Sequence, residues 1–132
     1  ESIPNKNKNS NESIANHELA VWQANEIFRS KKNSKELIKD NDTIEAKKIE
    51  RSIDQMESNL NKNGYEIVDL TGTPYSVELK DIRVVNTLTN KSYEPGKRVI
   101  TKVIKPRVKY NGEIINISDV EVTESSSDKN GD

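Results

Sequence analysis

The sequence predicts an α+β protein: an N-terminal helical hairpin or bundle segment followed by a small antiparallel all-β domain. Three observations lead there. The apolar residues change type near position 63: all four alanines, Trp22, Phe28 and Met56 precede it, while nine of the ten valines and all four tyrosines follow it. Alanine and methionine favour helix, and valine and tyrosine favour strand. The hydrophobic period changes at the same place, from spacings of three and four to short runs cut by turn residues. Finally, both ends are depleted: residues 1–13 hold a single apolar side chain, Ile3, and residues 123–132 hold none. Such segments bury too little to offset the entropy of ordering. The expected organisation is a disordered polar tail at 1–12, a helical dimerisation segment at 13–63, a β-domain at 64–122 and a second disordered tail at 123–132.

The first helix is expected over about 13–31, on Ile14, Val21, Trp22 and Phe28 with Leu19 and Ala24. The polar stretch KKNSKELIKDND, 31–42, reads as a connector with one turn of helix at most. A second helix follows over about 43–62, because Ala46, Ile49, Ile53, Met56 and Leu60 alternate spacings of three and four. That is a narrow seam of the kind two helices share, not a broad stripe on a large core. Asp42 as N-cap with Glu45 three residues on fits a capping box, and Gly64 after Asn63 supplies a left-handed stop. A hairpin with so thin a seam buries little, and dimerisation into a four-helix bundle would remedy that.

Beyond Gly64, the runs YEIVDL, VELKDIRVVN, RVITKVI, KPRVKY and EIINISDVEV are separated by Thr71–Pro74, Pro95-Gly96 and Asn111-Gly112. Asn-Gly is the strongest of these signals, since both central positions of a type I′ turn need positive φ. A two-residue loop sets Tyr110 opposite Glu113 and Val108 opposite Ile115, and places Val108, Ile115 and Ile117 on one face. Pro106 belongs at a strand start, an edge or a bulge.

Composition narrows function. With 21 basic and 22 acidic side chains the chain is not a globally basic nucleic-acid binder. It has no apolar run long enough to span a membrane and no signal-peptide pattern, and its opening Glu1 is expected of a processed or trimmed product. Zero cysteines exclude disulfides and thiolate chemistry, and a single histidine, His17, read as a surface residue, removes multi-histidine metal sites and most hydrolytic triads. The carboxylates Glu45, Glu50, Asp54 and Glu57 are spaced as ion-pair partners for Lys47, Lys48 and Arg51, not as an acid–base pair. No enzyme, cofactor or metal site is expected. Lys97, Arg98, Lys102, Lys105, Arg107 and Lys109 form an acid-free basic stretch, read as edge protection or as a grip on an acidic partner.

In their order, the helix exit IERSIDQMESNLNKNGYEIVD, then Glu94-Pro95-Gly96, then VIKPRVKYNGEIINISDVEV resemble the GrpE family, the nucleotide exchange factors of DnaK-type chaperones. The match covers roughly 49–122 by these words and 14–48 by element order. The resemblance implies a homodimer built on a helical bundle, with a β-domain that docks on the chaperone's ATPase domain and favours an open nucleotide cleft. It also implies a cytoplasmic, stress-related co-chaperone with no nucleic-acid or membrane partner. Carried over by position, the contact surface falls on Lys109, Tyr110, Glu113, Asn116, Val120 and Val122. Gly64 becomes the helix-to-β junction, and Ala46, Ile49, Ile53, Met56 and Leu60 the dimer seam. Two departures stand out. Tyr75 to Lys80 replaces the family's Phe-Asp-Pro and His, and Glu113 and Asn116 stand where the family usually carries arginine. A module that kept the scaffold but lost exchange activity is therefore the alternative.

Overall fold

The computed structural model describes the backbone of residues 2–126 and the side chains of 17–126. Two helices, α1 (Ser2–Asp40) and α2 (Ile44–Lys62), precede six strands: β1 (Tyr65–Val68), β2 (Ile82–Asn90), β3 (Arg98–Lys105), β4 (Arg107–Tyr110), β5 (Glu113–Asn116) and β6 (Ser118–Ser125). The α+β layout matches the expectation. The chain divides into two compact units, residues 1–66 and 67–132.

In the helical unit, α1 is longer at both ends than its apolar pattern implies. Its backbone is helical from Ser2, inside the expected tail, and continues to Asp40 through the expected connector. Once a helix exists it extends by one local hydrogen bond per residue, which requires no burial. Polar residues therefore prolong it until Asn41, whose N–H still bonds Leu37 O at 2.9 Å. The N-cap of α2 is Thr43, not Asp42: its extended backbone turns Oγ1 to accept from Ala46 N at 3.1 Å. Asp42 instead lies 3.5 Å from Lys47 Nζ. At the other end Gly64 takes φ +93°, as the stop requires.

The shared interface is thin. α1 contributes Ala20, Ala24, Ile27, Phe28 and Ser34, and α2 contributes Ala46, Ile53 and Leu60. Lys31 Nζ meets Glu57 Oε1 at 2.8 Å between the same two helices. Only alternate members of the α2 seam are buried, because a row repeating every seven residues faces one neighbour while the intervening row turns away. Ile49 is 50% exposed and Met56 46%. Of the residues expected to carry the α1 face, Ala24 and Phe28 are buried, whereas Leu19 and Trp22 are exposed.

The strands form two three-stranded sheets, ordered β1-β4-β5 and β2-β6-β3. One departure from the expected antiparallel domain is that β2 and β6 run parallel, from Ile82↔Ser118 to Asn90↔Ser125. A parallel pair needs a long crossover, and the intervening chain supplies one that contains β3, β4 and β5. β6 also runs to Ser125, so Thr123 to Ser125, expected to begin the C-terminal tail, are paired strand residues instead. Of the rest of that tail, Ser126 is half-buried and residues 127–132 lie outside the described residues. The core gathers on β6 and its neighbours: Ile100, Val103, Val108, Val120 and Val122 are essentially inaccessible.

The turns follow their residues. Asn111 and Gly112 have φ of 49° and 87°, as type I′ demands, and Gly96 at 87° follows Pro95 in a turn closed by Lys97 N to Glu94 O at 3.0 Å. Pro106 is buried directly before β4.

Candidate functional site

The hairpin β4–β5 brings together four of the six residues expected to form a contact surface. Tyr110 lies opposite Glu113, as expected, and Lys109 opposite Ile114. Val108, however, pairs with Asn116 and not Ile115, because the register shifts between Val108 and Lys109. The shift has a consequence for the site. In an uninterrupted strand Glu113 and Asn116 would point to opposite faces; the extra residue, Ile115, returns Asn116 to the face of Glu113, Tyr110 and Val108. Lys109 and Ile114 occupy the other face. Ile115 and Ile117 consequently do not join Val108 in the core: Val108 is fully buried, Ile115 half-buried and Ile117 exposed.

Val120 and Val122 are not surface residues. They are 0% and 2% exposed on β6, the central strand of its sheet. A side chain with no accessible area offers nothing to a partner, so the candidate surface reduces to Tyr110, Glu113 and Asn116 on one face of the hairpin, with Lys109 on the other.

The basic stretch has acidic partners that its own sequence lacks. Across the sheet, Asp119 on β6 stands between Arg83 on β2 and Lys105 on β3, and Glu121 stands between Asn86 and Lys102. Arg83 grips Asp119 with both prongs, Nε to Oδ1 at 2.9 Å and Nη2 to Oδ2 at 2.7 Å. This two-point bond and the carboxylate charge raise the Arg83 guanidinium pKa above its ordinary value. Asn86 Nδ2 donates to Glu121 Oε2 at 3.2 Å, and Arg98 Nε lies 3.6 Å from Glu124 Oε1. Arg107 donates to Lys80 O at 2.9 Å, and Lys97 Nζ sits 4.5 Å from the Tyr93 ring centre. Glu124, Glu121 and Asp119 stand opposite Arg98, Lys102 and Lys105, which leaves a weaker field for an acidic partner than six cations without an intervening acid imply.

The helical unit carries a separate apolar feature. A groove of about 530 Å³ is lined by Trp22, Gln23, Glu26, Ile27, Met56 and Leu60, among others. Trp22 is 61% exposed there. His17 is not a bare surface residue: its Nδ1 lies 2.6 Å from the Tyr65 hydroxyl, with the two rings edge to face. A link between positions so far apart in the chain has no periodic signature.

Among the described residues no group of three or more His, Cys, Asp or Glu side chains is placed to hold a metal ion. Among the same residues no helix is long and apolar enough to cross a membrane. Neither protein-family models nor curated proteins match the chain.

Proposed function

We propose that the protein is a GrpE-like co-chaperone that promotes ADP release from a DnaK-type chaperone, acting as a homodimer in the cytoplasm. The observation that carries this reading is an order of elements. Two helices end at a glycine of positive φ, and a small β-unit follows in which a Pro-Gly turn precedes an Asn-Gly hairpin and a closing strand. The same order carries the resemblance in the sequence. Exposed Ile49, with exposed Met56 lining the groove beside Trp22, supports the homodimer, because two of the five α2 seam residues are about half exposed within one chain.

The chemistry asked of the protein is binding alone. A surface on the hairpin that fits the open ATPase domain better than the closed one shifts that equilibrium by the ratio of the two affinities, and nucleotide leaves from the open form. Tyr110 supplies a rigid, half-buried ring with a polar tip, and Glu113 and Asn116 flank it on the same face.

Release of a fluorescent ADP from DnaK-type chaperones, measured by stopped flow with and without the full chain, tests the reading. Faster release that Tyr110→Ala weakens supports it; unchanged release across several such chaperones overturns it. Light scattering tests the dimer separately: Met56→Glu should lower the mass, and a wild-type monomer at micromolar concentration removes the bundle.

One observation favours a second reading, a binding module without exchange activity. Glu113 is exposed at the hairpin tip, so an acidic group stands where the resembling family presents arginine. Chaperone binding without faster release, with exchange gained on Glu113→Arg, would select it.

A further inference from the structure

The sheet β2-β6-β3 has two unlike edges. The outer edge of β3 is already occupied: Gly72 N donates to Ile100 O at 2.7 Å, Ile100 N to Thr73 O at 2.9 Å and Tyr75 N to Arg98 O at 3.0 Å, with Pro74 bridged to Val99. That strand also carries Arg98, Lys102 and Lys105, charges that discourage further pairing. β2 is nine residues long, and among the described residues no strand covers its outer side. Its single charge, Arg83, is engaged with Asp119 and lies before the regular stretch. After the irregularity between Val84 and Asn86, its residues Asn86 to Asn90 pair without interruption with β6. This regular stretch reads Asn-Thr-Leu-Thr-Asn: no charge, no proline, no glycine. All but Asn90 are exposed, Leu88 to 45%.

An open strand edge presents alternating backbone N–H and C=O groups, which only another extended backbone satisfies in full. The five residues read the same in both directions, so an antiparallel mate of identical sequence matches them. Centred on Leu88, the pairing sets Leu88 against Leu88, Thr87 against Thr89 and Asn86 against Asn90, with no charge opposite a like charge. Apolar and Thr–Thr cross-strand pairs are favourable. We propose that β2 is a self-association edge, which joins a second copy of this chain antiparallel about a twofold axis through Leu88.

Geometry also sets where the assembly stops. The pairing uses the same edge of both copies, and the remaining outer edges are the two β3 strands, each bonded over Arg98–Ile100 and charged at Lys102 and Lys105 beyond, so the sheet closes at six strands and does not grow into a fibre. Five residues per strand make a small interface, so the association is weak and depends on concentration. It is independent of the chaperone reading and of the α2 seam.

The test places charges at the twofold. Leu88→Lys and Leu88→Glu each oppose a charge to its own copy and should each abolish the concentration-dependent association seen by sedimentation equilibrium. An equimolar mixture of the two should restore it. Both variants carry Met56→Glu, and so does the reference chain, so that association through the helices is not counted. Leu88 is exposed, and an unchanged circular dichroism spectrum confirms that each variant is folded. Because the chain has no cysteine, a single Leu88→Cys adds a second readout: paired strands bring the two Cα atoms to about 4.5–5.5 Å, within disulfide reach. Oxidation should link Leu88→Cys chains into dimers far faster than Val77→Cys chains, whose thiol sits in an exposed loop. Equal linking rates, or a mixture that associates no more than its components, would overturn the proposal.

Discussion

The helical unit has the clearer pattern in the sequence and the less completely buried core in the structure; the β-unit has the reverse. The α2 seam runs through five regularly spaced apolar residues, yet only Ala46, Ile53 and Leu60 are buried, against an α1 face rich in alanine. β6 alternates acidic, hydroxyl and valine residues, yet Ser118, Asp119, Val120, Val122, Thr123 and Ser125 are all buried. A helix meets its partner along one stripe, so half of a seam is spare. A central strand is flanked on both sides, and its polar residues are covered by long neighbours such as Arg83 and Lys105. Periodicity reports which residues could face a partner, while burial depends on how many partners there are.

The largest test of this contrast truncates isoleucine in three places. Ile100→Ala, at the inaccessible centre of the β-unit, should cost about 3–5 kcal/mol, because strands held on both sides cannot close on the void. Ile53→Ala should cost about 2–3 kcal/mol, since two helices in thin contact can settle together. Ile49→Ala should cost under about 1 kcal/mol in the monomer. Urea denaturation followed by circular dichroism reads all three. If Ile49→Ala cost as much as Ile53→Ala, the outer row would be covered in solution and the single-chain account of the helical unit would fail.

Next comes the polar side of the β-unit. Asp119→Asn keeps the shape of the buried side chain but withdraws the charge that Arg83 grips with both prongs, and Lys105 loses its opposite number. The urea midpoint should fall, and the coupling should show in a cycle with Arg83→Gln. A cycle that closes additively would mean that the bond contributes nothing beyond its two ends.

What the sequence made legible, and what it did not, divides along locality. The helix stop at Gly64, the turns at Pro95-Gly96 and Asn111-Gly112, and the pairing of Tyr110 with Glu113 depend on a few adjacent residues, and all were readable. The parallel union of β2 with β6, the Arg83–Asp119 bond and the His17–Tyr65 bond depend on residues far apart in the chain. The candidate site suffered in proportion. Its six residues are a carry-over by position from the resemblance; the Asn-Gly turn holds four of them on one hairpin, whereas Val120 and Val122 fall on β6, which is central and buried.

A smaller effect distinguishes two neighbouring candidates for the α2 cap. Thr43→Ala should cost about 1 kcal/mol, because Ala46 N loses its acceptor. Asp42→Ala should change stability by only a few tenths of a kcal/mol, since an exposed ion pair contributes little. Reversed magnitudes would return the cap to Asp42.

The smallest change also tests the comparison by sign. Each unit buries hydroxyl groups. In the β-unit they are bonded: Ser118 Oγ donates to Lys105 O at 2.8 Å, and Thr123 shares a 2.7 Å bond with Thr101. In the helical unit Ser34 is buried on the face of α1 turned to α2, and among the described residues its Oγ has no hydrogen-bond partner. An unpaired buried hydroxyl is destabilising, and serine is a poorer helix former than alanine. Both effects favour Ser34→Ala, against the loss of one small atom's packing, so stability should rise by about 0.5–1 kcal/mol. Ser118→Ala should move the other way, because it strands the Lys105 carbonyl in a covered sheet. The same chemical change therefore stabilises the unit that is packed along one stripe and destabilises the unit in which these buried hydroxyls are hydrogen-bonded. Matched thermal melts of Ser34→Ala and Ser118→Ala that shift in the same direction would remove that distinction.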